Sequence, residues 1–250
     1  LQADTLWKSI ILATGGLLVA IVTYVVRYFD FQLHRSGDLL QSRYGLLTVR
    51  RSSLPLRRIQ ALKLEEGLLR RLCGLASIRV DSASDRSEID ESKKKDVLLP
   101  VAEQATAERV ACETMPGLES VTPAWNRVSP LAVRRGSRKG WILTVLVMVQ
   151  IYVAAAWYCL VCVPAFPMIY YLNRKWYENI GYKLTPAHFL SRKGWLNRST
   201  LCIPIKNVQC VRVTQSFFDR RLGLATLLID TAGQSNTGGG PRIRHMVLAE

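Results

Sequence analysis

The chain has 250 residues, a length typical of one or two domains, and 34 lysines and arginines against 19 acidic residues give a formal net charge of +15. This charge indicates an anionic partner, either a nucleic acid or an anionic membrane surface. Two long uncharged segments and the lack of an aromatic stacking platform favour the membrane, so no nucleic acid is expected as a partner.

The first uncharged segment, residues 9–26, is apolar over 18 positions. A helix needs ~20 apolar residues to cross the hydrocarbon core, which makes this segment a candidate transmembrane helix. A buried core helix is the alternative, because the segment lies near the short end of that range. It has neither the basic start nor the small-residue cleavage site of a signal peptide.

The second uncharged segment, residues 141–172, is apolar over 32 positions and has basic residues at both ends. They are Arg134, Arg135, Arg138 and Lys139 before it, and Arg174 and Lys175 after it. Because basic flanks stay in the cytoplasm, both ends are expected there, which requires an even number of crossings. A hairpin of two short helices satisfies this requirement, and a single tilted span of about 48 Å is the alternative.

Residues 42–83 and 191–232 repeat one another without a gap when residue n is laid over n+149. Twelve of these 42 positions are identical, and the fragment LRRLCGLASIRVDSA at 69–83 recurs as FDRRLGLATLLIDTA at 218–232. Each copy follows an apolar segment. The repeating unit is therefore a membrane segment plus a soluble domain.

Each soluble copy is predicted to consist mostly of strands. Residues 31–55 form three short runs that break at Ser36–Gly37 and at Gly45, as in a meander of hairpins. Residues 58–66 and their counterparts 207–215 alternate like half-buried strands. Such a pattern favours a half-buried antiparallel sheet.

The rest of the first copy contains the elements that complete a mixed fold. Residues 67–74 predict a turn or short helix that Gly74 stops, and a strand resumes at residue 75. A charged loop at 82–95 precedes a short strand and then a helix over 100–115, with Pro100 at its first position. Strands followed by one capping helix predict the α+β class.

Three features recur at the same spacing in both copies. They are Gly45 and Gly194, Pro55-Leu56-Arg57…Ile59-Gln60 with Pro204-Ile205-Lys206…Val208-Gln209, and Arg71…Gly74-Leu75-Ala76 with Arg220…Gly223-Leu224-Ala225. The chain resembles, on these motifs, the bacterial pleckstrin-homology-like domain of the second type, found in YdbS/YdbT-type membrane proteins. The resemblance implies a seven-stranded bent sheet with a C-terminal capping helix in each copy, and a longer YdbT-like chain of which this is the C-terminal part.

The expected organisation has five parts, and the resemblance places them in a bacterial cell membrane. They are a transmembrane segment at 1–29, a first domain at 30–118, a basic linker at 119–140, a transmembrane hairpin or single span at 141–175, and a second, C-terminally incomplete domain at 176–250. The chain would be multi-pass, with both soluble domains in the cytoplasm.

Six basic residues occupy equivalent positions in the two copies and are the candidate contacts to lipid or to a partner. They are Arg43, Arg57 and Arg71 in the first copy and Arg192, Lys206 and Arg220 in the second. They would form a basic face against anionic headgroups. The alternative is that they are solvated strand edges.

The expected role is that of a non-catalytic scaffold that binds lipid headgroups or a partner. The expected partners are the bilayer, anionic lipids, and either another membrane protein or a second copy of the chain. A component of a transport or export complex is the alternative function. No Ser/His/Asp or Cys/His set recurs, and the pair Cys159 and Cys162 has no second pair, so neither catalysis nor a metal or cofactor is expected.

Overall fold

The computed structural model describes residues 2–82, 95–121, 124–154, 163–231 and 242–247. The chain begins with a helix, α1 (Gln2–Tyr28), of which Ile11–Tyr28 is long and apolar enough to cross a membrane. None of that window is buried inside the protein, whereas a core helix would be mostly buried. Among the described helices, α1 meets the length and hydropathy requirement for a span.

The first module consists of two three-stranded antiparallel meanders, one short helix and one longer helix. Its strands are β1 (Gln32–Ser36), β2 (Leu39–Tyr44), β3 (Arg50–Pro55), β4 (Ile59–Glu66), β5 (Leu75–Ser82) and β6 (Lys95–Glu103). A 3₁₀ turn, Leu56–Arg58, joins the meanders, and a short helix, α2 (Leu68–Leu72), connects β4 to β5. Helix α3 (Gln104–Thr114) packs on β5 and β6.

The second module repeats this plan after two helices. A two-residue strand and the two helices come first: β7 (Asn126–Arg127), α4 (Leu131–Ala154) and α5 (Ala165–Glu178). The module itself contains β8 (Gly181–Leu184), β9 (His188–Lys193), β10 (Arg198–Pro204), β11 (Val208–Thr214), α6 (Phe217–Arg221), β12 (Leu224–Thr231) and β13 (Arg242–Val247). The pairs β2 and β9, α2 and α6, and β5 and β12 lie 149 residues apart, which confirms the repeat.

The recurring glycines have a backbone reason. Gly74 and Gly223 follow α2 and α6 with φ of +67° and +61°, a left-handed conformation that glycine adopts without a steric penalty. Each allows the chain to turn from a one-turn helix directly into a strand. Of the two predicted alternatives for residues 67–74, a turn or a short helix stopped by Gly74, the structure has the short helix.

The two modules share one sheet. Strand β4 of the first module pairs antiparallel with β10 of the second, from Arg198 opposite Glu66 to Cys202 opposite Leu62. A continuous seven-stranded sheet results, in the order β6-β5-β4-β10-β9-β8-β7. The meanders β1-β2-β3 and β11-β12-β13 form separate three-stranded sheets. We call the β4–β10 contact the internal junction.

The core of the first module continues into the second module. Leu62 and Leu64 of β4 are fully buried among apolar side chains of β5 and α3, and the same cluster includes Leu190 and Cys202 of the second module. A second cluster lies on the other face of the sheet, where Ala61 packs with side chains of β9, β10 and β12. The internal junction therefore buries apolar side chains on both of its faces.

The segment predicted as a transmembrane hairpin or single span contains two helices, α4 and α5, that pack antiparallel. The Trp141 indole Nε1–H donates to the Phe166 carbonyl at 3.4 Å, and a Cβ on Gly136 would lie only 2.7 Å from Cε2 of Tyr177. Higher residue numbers on α4 thus meet lower numbers on α5. This is the geometry of a hairpin, and its crossing of a membrane stays a prediction.

Three details differ from the expectations. Pro100 lies in strand β6 rather than at the start of a helix, and α3 begins at Gln104, because β6 pairs with β5 up to Glu103. The predicted linker at 119–140 is partly helical, since α4 begins at Leu131. The described residues show six strands in the first module where the resemblance implied seven. The predicted loop at 82–95 lies almost wholly outside the described residues.

Candidate functional site

One loop of the first module is attached to the end of α1. In the β2–β3 loop, residues 45–49, the Gly45 amide donates to the Phe29 carbonyl at 2.9 Å and the Leu46 amide donates to the Val26 carbonyl at 3.0 Å. Aromatic rings support the same contact, since Tyr28 and Tyr44 have centroids 5.6 Å apart. The loop therefore lies at the level of the last turn of the candidate span.

The side chains of this loop suit a membrane surface. Leu46, Leu47 and Val49 are 52%, 85% and 51% exposed. Three exposed arginines flank them: Arg43 at the end of β2, and Arg50 and Arg51 at the start of β3. An apolar tip with basic neighbours matches the boundary between hydrocarbon and anionic headgroups. We call these six residues the membrane loop surface.

Arg57 and Lys206 come together elsewhere, at a cleft between the two modules. The cleft has a volume of about 450 Å³. Both residues belong to 3₁₀ turns at equivalent positions of the repeat. The other lining residues are Leu56, Ile59, Thr114, Met115, Pro116, Pro186, Ala187, His188, Pro204 and Ile205. Arg57 lies past the far end of β3 from the membrane loop surface, about 17 Å along the strand, so these two predicted contacts are not part of that surface.

His188 is the buried titratable group of this cleft. Its side chain lines the cavity, the residue is 2% exposed, and its Nδ1 atom has no hydrogen-bond partner. Burial lowers the pKa of His188, the charge of Lys206 lowers it further, and a hydrogen bond to the Gly117 backbone opposes both. The imidazole is therefore neutral at neutral pH.

Acidification is expected to destabilise the protein through His188. Because the folded-state pKa of His188 lies below the unfolded value of about 6.5, the unfolded chain binds the proton first as the pH falls. The contribution of His188 to the free energy of unfolding should be constant above pH ~6.5 and should decrease below it, by at most about 1.4 kcal/mol per pH unit. Denaturant unfolding at a series of pH values measures this slope.

Two histidine variants test the assignment. His188→Gln should flatten the slope between pH ~6.5 and the range where carboxyl groups titrate. His34→Gln is the matched control, because His34 is exposed on β1, and it should leave the slope unchanged. An unaltered slope in His188→Gln would assign the acid sensitivity to another group.

The side chains of Arg71 and Arg192 make contacts inside the protein. Arg71 donates to the Trp195 carbonyl of the second module at 3.3 Å. The guanidinium of Arg192 lies 5.2 Å from the ring centroid of Trp125, and its Nε atom is buried without a hydrogen-bond partner. Burial and the neighbouring charge of Arg198 lower the pKa of Arg192. Arg71 thus contacts the second module, and Arg192 packs on the residue that precedes β7.

Arg220 lies exposed on α6, next to a contact that the sequence did not indicate. Arg135 of α4 donates to the Asp219 carboxylate at 2.9 Å, and its guanidinium lies 5.1 Å from the Phe218 ring centroid. Burial raises the pKa of Asp219, but hydrogen bonds from Ser216 and Arg135 outweigh it and leave that pKa low. A basic residue that precedes the apolar segment thus holds α6 against α4.

The sequence prediction included only one of the three arginines of the membrane loop surface, Arg43, and missed Arg50 and Arg51. Their counterparts in the second copy are Ser199 and Thr200, so a search for repeated basic residues passes over them. Their position beside the β2–β3 turn was the available signal. The six predicted contacts thus lie at separate places, with only Arg43 on the membrane loop surface, and their role in binding stays a prediction.

Comparison with known proteins identifies the family. Residues 4–113 and 139–250 each match the family described as "Bacterial PH domain". The chain belongs to the bacterial PH domain family. The two matches cover most of the chain and confirm the resemblance seen in its repeated motifs.

A curated relative of this bacterial PH protein is the "UPF0699 transmembrane protein YdbT" of Bacillus subtilis (strain 168). The two are 20% identical over 231 residues, which is 88% of this chain and 45% of the relative. The chain thus spans less than half the length of the relative. No solved structure matches it. The relative's description and the candidate span together indicate a membrane protein.

Proposed function

We propose that the chain is a non-catalytic, membrane-anchored binding protein whose first module contacts anionic lipid headgroups at the cytoplasmic face. The observation that carries this proposal is the pair of hydrogen bonds from Gly45 and Leu46 to Phe29 and Val26, at the C-terminal end of α1. They fix the apolar tip of the loop at the depth where the candidate span ends. Membership of the bacterial PH domain family supports a binding role rather than a chemical one.

The charge around this tip favours anionic lipids. Arg43, Arg50 and Arg51 are exposed and lie beside the loop. A basic residue near an anionic surface contributes ~1 kcal/mol, so the three together would favour anionic over zwitterionic headgroups by about 3 kcal/mol. This charge and the apolar tip act in the same direction, since each favours a location at the headgroup boundary.

The α4–α5 pair supports a location of both modules on one side of the membrane. If the antiparallel pair enters and leaves the bilayer at the same face, the basic residues before α4 and at the end of α5 all stay in the cytoplasm. A transport role has less support, because the Thr14 and Thr23 hydroxyls of α1 donate to carbonyls of their own helix. A transport path would instead need polar groups directed into it.

Hydrogen exchange in nanodiscs tests the lipid contact. The amides of residues 45–51 should exchange more slowly in equal parts phosphatidylcholine and phosphatidylglycerol than in phosphatidylcholine alone. Replacing Arg43, Arg50 and Arg51 by glutamine should abolish the difference, since it removes about 3 kcal/mol of attraction. Arg57→Gln with Arg58→Gln is the matched control at the other end of β3 and should keep it. Equal exchange in the two lipid mixtures would overturn the proposal.

A further inference from the structure

Strands β3 and β11 are among the six sheet-end strands that have an edge no described strand covers; the others are β1, β6, β7 and β13. Strand β3 pairs only with β2, and strand β11 pairs only with β12, among the described strands. An open edge presents unpaired backbone N–H and C=O groups and is a template for another strand. In β11 this edge lies beside Val211 and Val213, which are 56% and 53% exposed.

The repeat shows which kind of strand pairs with such an edge. Residues 59–66 (β4) and 208–215 are equivalent, and so are residues 49–55 and 198–204 (β10). Between the modules, the edge of the β4 type already pairs antiparallel with the edge of the β10 type. The open edges of β11 and β3 are thus edges of the β4 and β10 types, and the internal junction shows how these two types pair.

We propose that β3 of one copy of the chain pairs with β11 of a second copy in the register of the internal junction. Adding 149 to the number of the β4 residue in each internal pair, and subtracting 149 from that of the β10 residue, gives the contacts. The transferred pairs are Val49 with Gln215, Arg50 with Thr214, Arg51 with Val213, Ser52 with Arg212, and Ser53 with Val211. The β3 edge of one copy is therefore occupied by the β11 edge of an identical chain.

The side chains at these positions are compatible with the register. In the internal junction, Arg198 Nη1 lies 3.6 Å from the buried Glu66 Oε2. Their counterparts, Val49 and Gln215, are both uncharged, so the transferred pair leaves no charge without its partner. Each of the other pairs contains at most one charged residue. Like charges directly opposite each other, which destabilise strand pairing, do not arise.

The contact is heterologous, because the two chains use different surfaces. Such pairing produces an open chain of copies with a free β3 edge at one end and a free β11 edge at the other, or a ring where these ends meet. It should be weaker than the internal junction, since Ser52 and Ser53 replace Leu201 and Cys202 and bury less apolar area. Anchoring in one membrane raises the effective concentration of the copies and favours association there.

Photo-crosslinking in liposomes tests the pairing. With p-benzoylphenylalanine in place of Val213, the full chain in phosphatidylcholine–phosphatidylglycerol liposomes should give a ladder of crosslinked dimers and larger species. Mass spectrometry should place the crosslink in residues 49–53 of the second copy. With the same photo-reactive residue in place of Lys63, whose partner is Leu201 in the internal junction, crosslinks should stay within one chain.

A charge exchange makes the test specific for the register. Ser52→Lys puts a lysine opposite Arg212 of the next copy and should lower the crosslinked fraction about fivefold. Adding Arg212→Glu to the same chain should restore the ladder. Monomers only, a crosslink from β11 to β11, or a ladder indifferent to Ser52→Lys would each overturn the proposal. Circular dichroism shows that each variant has kept its fold.

Discussion

Glu66→Gln is expected to weaken the internal junction by about 3 kcal/mol. Glu66 is 3% exposed on β4, and its carboxylate faces the Arg198 guanidinium of β10 at 3.6 Å. Burial and the charge of Arg198 lower the pKa of Arg192, and the nearby charge of Glu66 opposes this lowering. Glutamine keeps the shape but removes the charge, which leaves two half-buried guanidinium groups close together. The backbone amides of residues 62–66 and 198–202 should then exchange faster, by the factor that corresponds to this loss of free energy.

The neighbouring carboxylate is the matched control. Glu65 lies on the same strand and pairs with Lys63 at 2.6 Å and with Arg79 at 3.1 Å, but its side chain is 23% exposed. Glu65→Gln should therefore cost no more than about 1 kcal/mol. Equal losses in Glu66→Gln and Glu65→Gln would show that burial of the charge at the junction does not matter.

A double variant separates the charge from the packing. Glu66→Gln with Arg198→Val creates at the internal junction the uncharged pair found at the counterpart positions, Gln215 and Val49. Removing both members of a buried ion pair costs less than removing one. The double variant should regain at least half of the loss, and a loss equal to the sum of the single variants would contradict the pairing.

The fold within each module could largely be predicted from the sequence because its signals are local. Gly74 and Gly223 mark where a short helix turns into a strand, and alternation predicts β4 and β11. Pro100 misled the prediction of α3, because a proline also fits a strand when the chain pairs along one edge only. Pairing of β6 with β5, which is not a local property, keeps Pro100 in a strand.

The internal junction could not be predicted, since its register joins residues more than 130 positions apart. One signal was present: Glu66 shares a strand face with Leu62 and Leu64, and a carboxylate in an apolar row requires a partner. Recurrence between the two copies was also a poor guide to the residues of the membrane loop surface. Only the first copy has its loop on α1, so a residue needed there, such as Arg50, has no reason to recur.

Gly45→Ala is expected to destabilise the first module by about 3 kcal/mol and to detach the loop from α1. Gly45 has φ of +114°, and a Cβ there would overlap the Thr48 carbonyl oxygen. The backbone must move to relieve the overlap, which breaks the hydrogen bonds from Gly45 and Leu46 to α1. Denaturant unfolding measures the loss of stability. Hydrogen exchange at residues 45–51 should no longer depend on anionic lipid in this variant.

Two other glycines distinguish strain from membrane contact. Gly37 has φ of +58° with open space around it, so Gly37→Ala should cost only about 1 kcal/mol. Gly194 is the counterpart of Gly45, and a Cβ there would overlap the Asn197 carbonyl oxygen. Gly194→Ala should thus destabilise as much as Gly45→Ala, yet keep the lipid-dependent protection of residues 45–51, because its loop lies on the first module rather than on α1. Loss of that protection in both variants would mean that it reports general stability, and the membrane loop surface would lose its main support.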